Sequence, residues 1–195
     1  VAKIIKVIKQ LKPKAKIILG GPHATLVNAG RKGEMAKGII GRATKSYLDL
    51  EKMFDVIVAG DGEEAVFEAL KPDTSRLIDA DDIKSNLFLD NFRLNSYPFP
   101  ARHLVDMESY HYFIDGERAV SLIGQLGCPF GCGFCGGRNS PSFRKMRIRS
   151  VENIVQEIKF LYETYKVKGF MFYDDELNVN PEIFVRLMTS IGDLQ

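Results

Sequence analysis

Ala119-Val120-Ser121-Leu122-Ile123-Gly124-Gln125-Leu126-Gly127-Cys128-Pro129-Phe130-Gly131-Cys132-Gly133-Phe134-Cys135-Gly136-Gly137 is an apolar run that feeds straight into a glycine-rich loop. The loop holds the only three cysteines of the chain, spaced Cys-x-x-x-Cys-x-x-Cys. Three thiolates on one short loop can each hold one iron of a four-iron, four-sulfur (4Fe-4S) cluster. Protein-held clusters normally use four cysteines, so a trio leaves one iron open to a non-protein ligand. The amino and carboxylate groups of S-adenosylmethionine (SAM) can chelate such an iron. Glycines suit a loop that wraps closely around a bulky cofactor, where side chains would block the approach.

Other uses of three cysteines fit less well. A structural zinc site prefers four ligands in paired Cys-x-x-Cys knuckles. The remaining soft donors, His23, His103 and His111, lie at no such spacing. An odd cysteine count without a secretory segment argues against a disulfide framework, and inert buried thiols rarely cluster in this way.

Outward from the loop, the chain alternates helical and buried-strand patterns. Val1, Ile4, Ile5, Ile8 and Leu11 fall at helical spacing, and Pro13 lies just beyond. Lys16-Ile17-Ile18-Leu19 reads as a buried strand ending in Gly20-Gly21-Pro22, and Val56-Ile57-Val58-Ala59 as another ending in Gly60-Asp61-Gly62. Glu63 to Leu70 is amphipathic. This is the rhythm of a doubly wound parallel sheet. The stretch 28–52 reads as a solvated surface excursion, and 76–118, with its Asp79-Ala80-Asp81-Asp82 run, as linker.

After the strand at 119–123 and the cysteine loop, Ser150 is placed to N-cap a helix carrying Ile154, Ile158, Leu161 and Tyr165 on one face. Gly169 to Tyr173 reads as a further buried strand, and Pro181 opens the last helix. Strand, loop, helix, strand, helix is the start of a (β/α) barrel, whose functional groups sit at the C-terminal strand ends. Both the cysteines and Asp174-Asp175-Glu176 occupy that position. The basic run Arg138, Arg144, Lys145, Arg147 and Arg149 reads mostly as a solvated face.

The cysteine loop, with Phe134 immediately before the third cysteine, is similar to the signature of radical SAM enzymes. Gly20-Gly21-Pro22-His23-Ala24-Thr25, Ala59-Gly60-Asp61-Gly62-Glu63-Glu64, Pro98-Phe99-Pro100-Ala101-Arg102 and the cysteine loop also resemble, in order and spacing, the cobalamin-dependent members of that family. The resemblance implies an α/β fold with a partial Rossmann-like, cobalamin-binding parallel sheet over 1–75. The 76–118 linker follows, and then the first strands and helices of a (β/α) radical SAM barrel over 119–195.

The resemblance also implies site roles. Cys128, Cys132 and Cys135 would hold the cluster, and Phe134 would pack on the SAM adenine. Asp174 or Asp175, with Glu176 in reserve, would meet the SAM amino group, where the family often has a Gly-Gly-Glu-like motif that this chain lacks. Gly20 and Gly21 would let cobalamin approach the backbone, Thr25 would donate a hydroxyl hydrogen bond to it, and His23 is a candidate contact. The family's Asp-x-His-x-x-Gly cobalt-ligand motif would lie upstream of Val1. The implied reaction is methyl transfer to an unactivated carbon or phosphorus, or a radical rearrangement or ring closure. Its substrate is an unidentified small molecule, and its electrons would come from a donor such as flavodoxin or ferredoxin.

Two alternatives stay open. One is a methylthiotransferase-like radical SAM enzyme without cobalamin, although the front half carries no second cysteine trio. The other is a non-catalytic cobalamin or iron–sulfur binding module.

The 195-residue chain is 45% hydrophobic and 27% charged, with net charge +2, an ordinary composition with no call for a nucleic-acid partner. No apolar run approaches the ~20 residues of a membrane helix. Free thiols without an export signal imply a reduced, cytoplasmic setting. The chain starts in mid-helix rhythm at Val1 and reads as a piece of a longer protein.

Overall fold

The computed structural model describes residues 1–194, and the chain is mixed α/β. In order, the elements are α1 (Ala2–Leu11), β1 (Ile18–Leu19), α2 (Pro22–Ala36), α3 (Arg42–Met53), β2 (Val56–Gly60), α4 (Ala65–Leu70), β3 (Leu77–Ala80) and α5 (Asn91–Ser96). They continue as β4 (Phe113–Ile114), β5 (Glu117–Leu122), β6 (Gln125–Leu126), α6 (Pro141–Arg144), β7 (Arg147–Ile148), α7 (Val151–Tyr165), β8 (Gly169–Phe172) and α8 (Pro181–Gly192). The chain divides into two compact units, one made of Val1–Leu89 with Phe130–Arg144, the other of Asp90–Pro129 with the chain from Lys145 onward.

The first unit is built on a parallel sheet in the order β1-β2-β3. Val56, Ile57, Val58 and Ala59 are all buried, as expected of a central parallel strand covered on both faces. Ile57 packs with Ala24, Val27, Tyr47, Leu50 and Phe54 on one face, while Val56 and Val58 pack with Ala65, Ala69 and Ile78 on the other. Strand β1 begins after Ile17, whose N–H donates to the Asp55 carboxylate, 2.8 Å away. Of the apolar stripe on α1, Ile5 packs on the core, while Ile4 and Leu11 stay exposed.

Two expectations are corrected here. The stretch 28–52 is not a surface excursion; it holds most of α2 and α3, and buries Asn28, Ala29, Tyr47 and Leu50. Its charges hid the helices because they are used locally. Glu34 accepts hydrogen bonds from the N–H groups of Gly41, Ala43 and Thr44 and from the Thr44 hydroxyl, supplying acceptors to the first turn of α3. Those bonds, led by the Thr44 hydroxyl, hold the Glu34 carboxyl at about 2, below its ordinary 4.5. The second correction falls within 76–118, where Leu77–Ala80 is a third sheet strand rather than linker. Ile78 and Ala80 face the core, and Asp79 is offset by an ion pair with Lys32 at 2.5 Å.

In the second unit, β5 and β8 pair in parallel from Ala119↔Gly169 to Leu122↔Phe172, joined through α7. Ser150 N-caps α7 by accepting from the Asn153 N–H, and Ile154, Ile158 and Leu161 are buried against Leu122 and Leu187. This matches the helical face read from sequence. Strand β4 lies antiparallel to β5, and β6 pairs with β7.

Glu34 ties stability to acid. Its carboxylate is favoured in the folded state, so its contribution is complete above pH 4.5 and is lost as pH falls toward 2. In urea titrations at stepped pH, Glu34→Gln is expected to flatten the acid limb across that window. At the end of β2, Gly60 has φ +94°, and an added Cβ would lie 2.2 Å from the Asp81 nitrogen. Gly60→Ala should therefore lower unfolding stability by about 2 kcal/mol or more, read from the urea midpoint.

Candidate cofactor site

The cysteine loop follows β6, just beyond the C-terminal end of β5, and each side of it can be followed within its own unit. In the second unit, Asp174 follows β8 and turns its carboxylate back onto the end of β5. It accepts from the Gly124 N–H at 3.0 Å and from the Gln125 N–H. Burial pushes the Asp174 carboxyl up from its ordinary value, opposed by the hydrogen bonds from Gly124 and Gln125. The Gln125 side chain donates to the Glu176 carbonyl, tying the same two strand ends together again. Gly127 has φ +79°, and a Cβ there would fall 2.3 Å from the Lys145 carbonyl oxygen. Only glycine permits that approach. Cys128 follows, half-buried and free.

Cys132 and Cys135 belong to the first unit. The Cys135 N–H donates to the Cys132 carbonyl at 3.1 Å, closing a turn that leads into a 3-10 turn over Gly136–Asn139. Gly137 lies against Phe143, where a Cβ would approach to 2.8 Å. Just beyond β3, the buried Asp81 accepts from the Ser140 hydroxyl at 2.6 Å and the Ser142 N–H at 2.8 Å. Asp81 therefore anchors the segment that follows the third cysteine. Sequence reading placed it in a turn-rich linker; the available signal was its position at the C-terminal end of a third parallel strand, where such sheets place functional groups.

The donor set suits an iron–sulfur cluster: three free thiols within Cys128–Cys135, two half-buried and one exposed. Among the described residues, no three His, Cys, Asp or Glu side chains are gathered to hold a metal ion. Phe134 is 93% exposed and its ring is uncovered. Of the acids expected at SAM, Asp174 has its carboxylate engaged by backbone N–H groups, Asp175 is exposed, and Glu176 is partly exposed. In the front unit, Gly20 and Gly21 have no atom within 4 Å of an added Cβ, and His23 is exposed in the first turn of α2 rather than in a loop. Thr25 is different. Its hydroxyl donates to the Gly21 carbonyl at 3.1 Å and accepts from the Gly60 N–H at 2.9 Å, so its polar capacity serves the fold. The basic run is not uniformly solvated either, since Arg147 and Arg149 are buried.

Residues 122–193 match the radical SAM superfamily model. The chain is 27% identical to the anaerobic magnesium-protoporphyrin IX monomethyl ester cyclase of Cereibacter sphaeroides, over 93% of this chain and 29% of the relative. An uncharacterized methyltransferase of Pyrococcus horikoshii is 24% identical over 91% of the chain and 37% of its own length. The cytidylyl-2-hydroxyethylphosphonate methyltransferase of Streptomyces wedmorensis is 32% identical over 43% of the chain and 17% of its own length. The chain thus spans well under half the length of these relatives. No helix among the described residues is long and apolar enough to cross a membrane.

Removing the Asp174 carboxylate leaves two N–H groups without their acceptor. Asp174→Ala should lower stability by about 1–3 kcal/mol, whereas exposed Asp175→Asn should stay within about 0.5 kcal/mol of the unsubstituted protein; urea unfolding separates the two.

Proposed function

We propose that this chain is part of a radical SAM enzyme in which Cys128, Cys132 and Cys135 hold a 4Fe-4S cluster. The single observation that carries this reading is the trio of free thiols on the loop after β5, inside the segment matched to the superfamily. A 4Fe-4S cluster held by these thiolates would supply, with bound SAM and an electron donor such as flavodoxin or ferredoxin, one-electron reductive cleavage of the sulfonium to methionine and a 5′-deoxyadenosyl radical.

This chain's residues supply the mount. Asp174 and Gly127 hold the backbone ahead of Cys128, while Asp81 and Gly137 hold the backbone behind Cys135. With Asp174 engaged by the fold, Asp175 and Glu176 become the carboxylates for the SAM ammonium, a charge-assisted contact. The exposed Phe134 ring provides an apolar face for the adenine.

Cobalamin is the proposed second cofactor, in a partial Rossmann-like front domain that precedes the opening of a (β/α) barrel. The open backbone at Gly20 and Gly21 and the exposed His23 support it; Thr25 is left out because its hydroxyl is engaged. The names of the relatives, a cyclase and methyltransferases, support methyl transfer or radical ring closure on a small molecule as the reaction class.

Anaerobic reconstitution of the intact protein with iron and sulfide is expected to give broad visible absorbance and, with reductant and SAM, 5′-deoxyadenosine. Alanine at any one of Cys128, Cys132 or Cys135 should abolish both signals. Uptake of a single zinc, with no iron–sulfur absorbance, would overturn the assignment. Cobalamin measured on the same sample tests the second cofactor.

A further inference from the structure

The Pro98-Phe99-Pro100-Ala101-Arg102 segment runs ahead of β4 in the second unit. In the second unit, Arg102 donates through Nη1 to Glu157 Oε1 at 2.6 Å and through Nη2 to the Ser121 carbonyl at 3.3 Å. Arg149 meets Glu157 Oε2 at 2.6 Å, donates to the Ile123 carbonyl at 2.9 Å, and is braced by Asn153 at 2.7 Å. Glu157, on α7, is 1% exposed.

The two carbonyls share one edge of β5. Its other edge pairs with β8, taking Arg118 and Leu122 oxygens through the N–H groups of Lys168 and Tyr173. Strand β4 and its flank cover the free edge as far as Ala119, whose N–H reaches the Tyr112 carbonyl. Beyond that point, Ser121 and Ile123 have guanidinium groups where another strand's N–H groups would stand. The Arg149 N–H donates to the Gly124 carbonyl at 2.9 Å, and Asp174 then takes the next two N–H groups. Charged side chains therefore take the Ser121 and Ile123 carbonyls and the Gly124 and Gln125 N–H groups, a few residues ahead of Cys128.

Buried ion triads are poor stabilisers, because desolvation offsets their attraction and apolar substitutes are often as stable. Their use here is geometric. We propose that Arg102 and Arg149 form a clasp on the buried Glu157 that positions the strand end ahead of the cysteine loop, which makes Glu157 a positioning residue for the Cys128 thiolate. The inference rests on the cluster assignment above and extends it to residues that touch neither cluster nor SAM.

The test uses the intact protein, reconstituted anaerobically, with iron release to a chelator and thermal midpoint measured together. Glu157→Gln is compared with Leu187→Ala, which opens the same unit's core at a side chain 1% exposed. Glu157→Gln should release iron about tenfold faster than Leu187→Ala at a comparable loss of midpoint, as for groups that orient metal ligands without touching the metal. Arg102→Lys keeps the charge but loses the planar fork that reaches Ser121. It should release iron at an intermediate rate with its midpoint nearly unchanged, and it carries the test if Glu157→Gln does not fold. Equal release from Glu157→Gln and Leu187→Ala, or from Arg102→Lys and the unsubstituted protein, would overturn the clasp alone. If the unsubstituted protein takes up no cluster, the functional assignment fails and the clasp fails with it.

Discussion

Buried peptide groups must find hydrogen-bond partners, and in this chain carboxylates supply many of them where strands and helices end. Asp174 is the clearest case, because its oxygens accept the N–H groups of Gly124 and Gln125 where β5 gives way to β6, ahead of the cysteine loop. Asp81 does the same for Ser142 after the third cysteine, Asp55 for Ile17 at the start of the sheet, Asp61 for Leu89, and Glu34 for three consecutive-turn amides at α3. A carboxylate with one or more backbone N–H donors is strongly held, and it fixes the segment it accepts from. The loop proposed to hold a cluster thus has ends set by long-range acid-to-backbone contacts.

Steric limits work alongside those contacts. Gly60 and Gly127 both have positive φ, and both lie where a neighbouring backbone would occupy the space of a Cβ. At Gly60 the neighbour is the Ala80–Asp81 peptide, so the close approach of β2 and β3 also delivers Asp81 to its buried position. At Gly127 the neighbour is Lys145, which brings together the two chain segments flanking the loop within the second unit. The glycines that sequence inspection linked to cofactor access therefore split into two groups. Gly127 and Gly137 are required by packing, while Gly131 and Gly133 have nothing within 4 Å of an added Cβ and leave the loop open.

Much of the fold was legible in local pattern. The apolar run at 56–59, the strand read at 119–123 (found as Glu117–Leu122), the Ser150 cap, the α7 face and the Pro181 helix start all depend on short-range periodicity and capping, and all are present. The helices of 28–52 were hidden because Glu34 and its basic neighbours look like surface until their partners are known. Strand β3 was hidden because a four-residue strand with an acid in it is stabilised by Lys32 and by its neighbours rather than by its own composition.

By itself the amino-acid order determined the three-thiol loop, its match to the radical SAM model over 122–193 and the alternation of strands and helices, because each is written in residue type and spacing along the chain. Tertiary structure alone decided the work of the polar residues. It gave Asp174 and Thr25 internal hydrogen-bond partners far along the chain. It also buried Arg149 against Glu157 and made Asp81 an anchor. The physical reason is range: a charged side chain looks the same in a sequence whether it meets water or a peptide group fifty residues away, and only the folded backbone brings that second partner within hydrogen-bonding distance.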